Sequence, residues 1–252
     1  METISIITPT RNRERFLRNL ESMVSAQTYP NIEWIIYDDS RVPSGYFSSL
    51  KDTAIRYLYS SLPVSIGEKR NRMVELARGK IIAHFDDDDY YSADYLRTMM
   101  ARIDDGHDFV KLSAWFLYSG LYRTLGYWDC LRTWGLHYVW SEAPLSLADF
   151  AERDQENLKN NYLGYGFSYV YRKDVWRECH FLDVNWNEDG PFAIQANARF
   201  RLCHFPDSSG LCLHILHKKN TSRCFPQYCL PEFLIDQLFG PASHPAIQAS
   251  WE

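Results

Sequence analysis

Long hydrophobic runs are missing from this sequence: none approaches the roughly 20 residues a helix needs to cross a bilayer. The start, "METISIITPT", is an apolar strand pattern without the basic n-region and cleavage site of a secretory leader. A soluble cytoplasmic protein is therefore expected. An excess of basic charge is also missing, with 27 Lys and Arg against 32 Asp and Glu and a net charge of -5. That sign does not suit broad neutralisation of nucleic-acid phosphates, so no nucleic-acid partner is expected. A nucleotide-sized ligand is still compatible with it.

Closely spaced cysteine pairs are absent too. The six cysteines, Cys130, Cys179, Cys203, Cys212, Cys224 and Cys229, are scattered without a C-x-x-C, which argues against a dense disulfide framework and against a zinc ribbon. Cys203, His204, Cys212, His214, His217 and Cys224 are zinc-type ligands, but their spacing fits no zinc-finger template. "NTS" at Asn220 has the form of a glycosylation acceptor, which has no consequence without secretion. There is no Walker loop, internal repeat or low-complexity tract.

What is present is a chain of 252 residues, 46% apolar, enough for one continuous core. "TISIITPT" (3 to 10), "NIEWIIYDDS" (31 to 40), "IRYLYS" (55 to 60) and "KIIAHF" (80 to 85) read as short β-branched strands. Between them, "RERFLRNLESMVSAQ" (13 to 27) places Phe16, Leu17, Leu20, Met23 and Val24 at helical spacing, and "GEKRNRMVELARGK" (67 to 80) reads as a helix closed by Gly79. Such alternation implies an α/β fold with an open, mostly parallel sheet flanked by helices. "DFVKLSAWFLYSG" (108 to 120) reads as another strand, and the aromatic stretch to Trp140 has no clean period. "LSLADFAERDQENLKNN" (145 to 161) predicts a polar-faced helix. "GFSYVYRKDVW" (166 to 176) predicts a strand and short helix, "NEDGPFAIQANARF" (187 to 200) a helix, and the last segment a short apolar helix with a proline-broken tail.

Acids gather where ligands collect in such sheets, beyond the carboxyl ends of strands. Asp38 and Asp39 follow the second strand, and Asp86, Asp87, Asp88 and Asp89 follow the fourth. Four neighbouring carboxylates raise one another's pKa unless positive charge lies among them. One reading is a solvated turn with Asp89 or Ser92 capping the next helix. The other is a hard cation, Mg²⁺ or Mn²⁺, which takes one or two carboxylates and completes its shell with phosphates and water. On an extended backbone Asp86 and Asp88 would point the same way and Asp87 elsewhere. Asp38 and Asp39 fit either a turn or recognition of a nucleobase imino group or ribose. Lys69, Arg70 and Arg72 at a helix start fit an anion site or a solvated basic face. Glu188 and Asp189 before a helix are a dipole-stabilised pair or a general base with its neighbour. His214 and His217, in "HILHKKNTS", could complete a metal shell.

Taken together these stretches resemble glycosyltransferase family 2, of the GT-A fold. The matches are "ISIITPTRNR", "WIIYDDS", "GEKRNRMVELARGKIIAHFDDDDYYSADYL", "NEDGPF" and "HKKNTS", in that order. The resemblance implies an inverting transferase that moves a sugar from a nucleoside-diphosphate donor to an acceptor hydroxyl, with Mn²⁺ or Mg²⁺ as cofactor. Thr8, Pro9 and Arg11 would border the nucleobase, and Asp39, with Asp38 beside it, would bind it. Arg70 would sit near the nucleotide, with Asp86 near the ribose and Asp87 beside it. Asp88 would hold the metal, with Asp86, His217 or its substitute His214 as further ligands. Asp189 would be the catalytic base, supported by Glu188. UDP is the family's commonest nucleotide, so a UDP-sugar is the implied donor partner. The implied acceptor is a glycan or lipid-linked sugar in surface polysaccharide synthesis, reached at the inner face of the membrane.

Where members often carry an aromatic residue, Arg11 stands here; a guanidinium also stacks on a base. The Q-x-x-R-W motif of processive members is absent, so single additions are expected. The resulting organisation is one domain over 1–225, with a nucleotide-sugar-binding half to about residue 110, an acceptor and catalytic-base half over 111–225, and a C-terminal helix and tail over 226–252. Trp128, Trp134 and Tyr165 are candidate acceptor contacts, since flat aromatic faces cover sugar rings, although packing explains such residues as readily. The competing readings are a sugar nucleotidyltransferase, which would want a glycine-rich basic loop near the N-terminus, and a noncatalytic sugar-nucleotide or glycan-binding module.

Overall fold

The structure, a computed structural model, describes residues 1–141, 144–218, 220 and 222–251. In chain order it runs β1 (Ile4–Thr10), α1 (Glu14–Ser25), β2 (Ile32–Asp38), α2 (Gly45–Ser49), β3 (Ile55–Tyr59), α3 (Ile66–Leu76), β4 (Ile81–His84), β5 (Tyr90–Tyr91) and α4 (Tyr95–Asp104). Then come β6 (Phe109–Ser119), β7 (Thr124–Asp129), β8 (Gly135–Val139), β9 (Ser146–Phe150), α5 (Gln155–Leu158), β10 (Val170–Arg172), α6 (Lys173–Glu178) and α7 (Asp189–Arg199). The chain continues through β11 (Leu202–Pro206), β12 (Cys212–Leu216), β13 (Tyr228–Leu230), α8 (Leu234–Phe239) and α9 (His244–Ala249).

The chain forms two compact units. The first comprises Met1–Asp87, Ala93–Lys111 and Gly164–Cys203, and the second Asp88–Ser92, Leu112–Leu163 and His204–Glu252. Residues 164–203, with Glu188 and Asp189 among them, thus cluster with the N-terminal strands.

The first unit holds a mostly parallel sheet flanked by helices, in the order β3, β2, β1, β4 and then β10, which runs antiparallel to β4. The apolar runs read from the sequence explain it. Every residue of β1 except Pro9 is buried, as are all four of β4, so both sheet faces are covered and alternation is lost. Helix α1 covers the sheet with Phe16, Leu17, Leu20 and Met23, one face at the helical period. Helix α3 starts where the Ser65 hydroxyl accepts the Glu68 amide at 3.1 Å. It ends at Leu76, so Gly79 is not its closing residue. Gly79 instead lies against β1, where a Cβ would stand 2.5 Å from the Thr3 carbonyl oxygen.

In the second unit the later part of β6 pairs antiparallel with β7 and parallel with β12, β13 extends β7, and β12 also pairs with β5. All eleven residues of β6 are buried, and the aromatic stretch after it divides between β7 and β8, two short strands in different sheets, so it carries no single period. Strands β8 and β9 form a separate hairpin. Here the sequence expectation fails: Ser146–Phe150 is a strand, and only the short α5 lies in the segment read as one helix. Phe150 packs against His137 and Phe225 with ring centroids 4.8 and 5.3 Å away, a partnership between distant residues that local periodicity does not encode.

Candidate active site

In the first unit, the ends of β1 and β2 meet the start of α3. Asp39 is buried, and its Oδ1 accepts from Lys69 Nζ at 2.5 Å while its Oδ2 accepts the Val64 amide at 2.8 Å. Lys69 also donates to the Thr10 carbonyl at 3.0 Å, so one ammonium ties both strand ends. Burial pulls that ammonium below its ordinary pKa even with Asp39 beside it. Asp38 accepts from Tyr57 Oη at 2.5 Å and from the Ser40 hydroxyl and amide. Asn12, at φ 53°, donates its amide to the Ser40 hydroxyl at 2.6 Å, joining the two loops. Arg11 is exposed and Pro9 half-buried beside them. Thr8 is different: it is fully buried, and its hydroxyl donates to the Phe85 carbonyl at 2.8 Å and accepts from Trp34 Nε1 at 2.9 Å. Its side chain belongs to the core.

At the basic start of α3, Lys69 and Arg70 are buried on acidic partners and Arg72 is exposed. Arg70 is 3% exposed and spends its guanidinium inside the protein, with Nε donating to Glu188 at 3.2 Å, Nη2 to Asp86 at 3.2 Å and Nη1 to His84 Nδ1 at 2.7 Å. Arg72 pairs with Glu68 at 2.7 Å and donates to Tyr37 Oη. Burial raises the Glu188 carboxyl pKa, Arg70 opposes the rise, and Asp189 and Asp86 add to it. Asp189, the first residue of α7, is half-buried; its Oδ2 accepts the Gly166 amide at 2.7 Å and its Oδ1 the Gly190 amide at 2.8 Å. Tyr165 adopts φ 65° just before Gly166, a left-handed turn that is costly without glycine. A Cβ on Gly166 would lie 3.0 Å from Asp189 Cβ, so this approach needs glycine. The structure thus brings Arg70, Asp86, Glu188 and Asp189 together in one unit.

Asp87 also has its own partners: Thr10 Oγ1 donates to it at 2.6 Å and Arg13 Nη1 at 3.0 Å. It secures the end of β1. The chain turns at Asp87 and Asp88, so the extended-backbone argument for Asp86 and Asp88 does not apply.

In the second unit Asp88 Oδ2 lies 3.0 Å from His217 Nε2 and 3.3 Å from Asn220 Nδ2, and Asn220 Oδ1 accepts the His217 backbone amide at 2.6 Å. Asp89 takes His214 Nδ1 at 2.9 Å and the Ile215 amide at 2.8 Å. Burial would lower the His214 pKa, but the Asp89 carboxylate raises it well above the ordinary value. His217, not His214, is therefore the histidine at Asp88. Lys219 and Thr221 of the "HKKNTS" stretch lie outside the described residues. Among the described residues, no three His, Cys, Asp or Glu side chains gather as a metal shell. The Asp88 and His217 pair nevertheless fits a hard divalent ion in chemistry, offering one carboxylate and one imidazole where phosphates and water supply the remaining ligands.

Of the aromatic candidates, Trp128 is 1% exposed and packed edge-on against Trp115 and Phe225, so packing accounts for it. Trp134 is 60% exposed in the second unit, and Tyr165 is half-buried in the first. His84 is a functional candidate that the sequence pattern does not single out, Asn220 shows there only as a glycosylation acceptor, and Lys69 fits neither the anion site nor the solvated face expected of it, being buried on Asp39. The strand pattern ending at His84, with Asp86 two residues on, was the one signal that could have pointed to His84.

The family model described as Glycosyl transferase family 2 matches residues 5–175. The uncharacterized glycosyltransferase EpsJ of Bacillus subtilis is 24% identical over 200 residues, covering 77% of this chain and 55% of that protein. The UDP-Glc:alpha-D-GlcNAc-diphosphoundecaprenol beta-1,3-glucosyltransferase WfaP of Escherichia coli is 35% identical over 94 residues, 36% of this chain and 37% of its own. The chain thus spans about half or less of the length of these relatives. Among solved structures, S. aureus TarS 1-349 in complex with UDP-GlcNAc superposes with a TM-score of 0.63 at 17% identity, over 86% of this chain and 60% of that one, a likeness of fold.

Proposed function

The chain belongs to glycosyltransferase family 2 and is a transferase, and from that premise we propose that it moves a sugar from a UDP-sugar to a hydroxyl of a glycan or lipid-linked acceptor, with inversion and one addition at a time. The observation that carries this reading is the placement of Asp189 at the head of α7, fixed by the Gly166 amide beside the Arg70 and Glu188 pair. In this reading Asp39 accepts from a base imino group: each of its oxygens has a further lone pair beyond Lys69 and Val64, and its side chain, fully buried against Lys69, is uncovered as the donor enters. Asp38 holds the loop around it, with Pro9 and Arg11 alongside. A UDP donor and a diphospholipid-linked acceptor are supported by what the names of TarS 1-349 in complex with UDP-GlcNAc and of WfaP say of those proteins. No helix among the described residues is long and apolar enough to cross a membrane.

In this reading Asp189 takes the proton of the acceptor hydroxyl. The acceptor oxygen forms its bond to the anomeric carbon while the bond to the diphosphate oxygen breaks, and the electron pair leaves with UDP. Glu188, held by Arg70, keeps a second carboxyl beside the base. Asp88 and His217 would hold Mn²⁺ or Mg²⁺, which when bound neutralises charge growing on the leaving diphosphate. Asp86 stays on Arg70, near the ribose.

The test is a panel of UDP-, GDP- and dTDP-sugars with glycan and diphosphoundecaprenol-linked acceptors, reading nucleotide release and the anomeric configuration of the product. Release of UDP with an inverted linkage, lost in Asp189→Asn, is the expected result. Donor binding with no transfer to any acceptor would favour a noncatalytic module.

A further inference from the structure

His84 is the last residue of β4, fully buried, and no part of the proposed reaction uses it. Its ring lies among Tyr169, Tyr171 and Phe181, with centroids 5.4, 5.5 and 5.5 Å away. Nδ1 faces Arg70 Nη1 at 2.7 Å, the shortest of the three contacts made by that guanidinium. A guanidinium has donors and no acceptor and does not lose its proton in proteins, so the nitrogen facing it must offer a lone pair. The ring proton therefore resides on Nε2, which faces Tyr171 Oη at 3.2 Å. Burial and the Arg70 charge both hold the imidazole well below its ordinary pKa, in keeping with a neutral ring.

Two carboxylates alone leave a guanidinium free to tilt about the line between them. A third, neutral acceptor fixes its plane, and a third carboxylate there would add another buried negative charge.

We propose that His84 is a positioning residue: as a neutral Nε2–H imidazole, held by Tyr171, it fixes the plane of Arg70, and through it Glu188 and Asp86. The link to catalysis rests on the proposed function; the link to Arg70 does not.

The experiment compares wild type, His84→Leu and His84→Asn, whose Oδ1 takes the place of Nδ1. Nitrogen-15 NMR of the free protein reads the His84 tautomer and the Arg70 guanidinium protons, which are resolved when rotation is blocked. UDP binding and donor kinetics follow on the same samples. The expected result is an Nε2–H tautomer, with resolved Arg70 signals in wild type and His84→Asn but not in His84→Leu. For His84→Leu, kcat should fall by about tenfold or more at unchanged donor KM, recovering in His84→Asn. A protonated Nδ1, Arg70 signals that survive in His84→Leu, or an Asn variant no better than the Leu variant would overturn the proposal. If His84→Leu does not fold, the wild-type tautomer and the Arg70 signals of His84→Asn decide it. If wild type neither binds UDP nor releases it from a donor, the functional reading fails, and the NMR result still judges the positioning.

Discussion

Asp88 Oδ2 and His217 Nε2 lie 3.0 Å apart although 129 residues separate them in the chain. This pair is one of four separate answers to the crowding of Asp86 to Asp89. Asp86 has Arg70, Asp87 has Thr10 and Arg13, Asp88 has His217 and Asn220, and Asp89 has His214 and the Ile215 amide. No single cation has to neutralise the run, because each carboxylate has a partner of its own. That leaves Asp88 and His217 as the pair whose donors suit a divalent ion.

Removing the imidazole tests that pair. His217→Ala should weaken Mn²⁺ binding, read by electron paramagnetic resonance with UDP present, by about 10- to 100-fold. Unchanged Mn²⁺ affinity would take His217 out of the metal site and leave it a partner that orders the loop around Asp88.

Asp189→Asn keeps the shape at the head of α7 and removes the base. Turnover should drop by about 10²- to 10⁴-fold while UDP affinity stays within about a factor of two. Loss of UDP binding along with turnover would assign Asp189 to donor binding or to folding.

Glu33 provides a pH prediction away from the site. Burial alone would raise its pKa, but the Ser5 hydroxyl, the Arg78 guanidinium and the Arg78 and Gly79 amides together hold it below the ordinary value of 4.5. A carboxyl with a depressed folded pKa stabilises the fold above its unfolded pKa and loses that contribution as pH falls through the folded value. Urea midpoints of wild type should therefore fall more steeply below pH 4.5 than those of Glu33→Gln, with a constant offset between the two above pH 6. Parallel curves at all pH values would show that Glu33 adds no pH dependence.

Gly67 lies where the chain returns after α6: a Cβ there would stand 1.8 Å from the Leu182 carbonyl oxygen, and the Gly67 amide donates to the Val184 carbonyl at 3.2 Å. Gly67→Ala must move backbone, at a cost of about 1–3 kcal/mol. Gly45→Ala, with nothing within 4 Å of its Cβ, should be neutral or stabilising. Equal urea midpoints for the two variants would contradict the close approach at Gly67.

The first hundred residues were legible because their signals are local. Strands β1 to β4 are short apolar runs, α1 carries its buried face at the helical period, and the acids follow the strands on schedule. What the sequence hid depends on partners far along the chain. The β9 strand answers to β8 and Phe225, Thr8 is claimed by Trp34, and Trp128 by Trp115. Lys69 and Arg70 fit an anion site or a wet basic face as far as the helix start alone can say; Asp39, Glu188 and Asp86, distant in the chain, turn them inward. His84 read as one more strand residue for the same reason: its role is set by a guanidinium 14 positions away and a tyrosine 87 positions away.

The most direct measurement is calorimetric titration with UDP, with and without Mn²⁺, on wild type and Asp88→Ala. UDP binding that requires Mn²⁺ and disappears in Asp88→Ala is the result expected of a donor site completed by Asp88. UDP binding that ignores both the ion and the substitution would contradict a metal role for Asp88, and no binding of UDP at all would contradict the proposed donor.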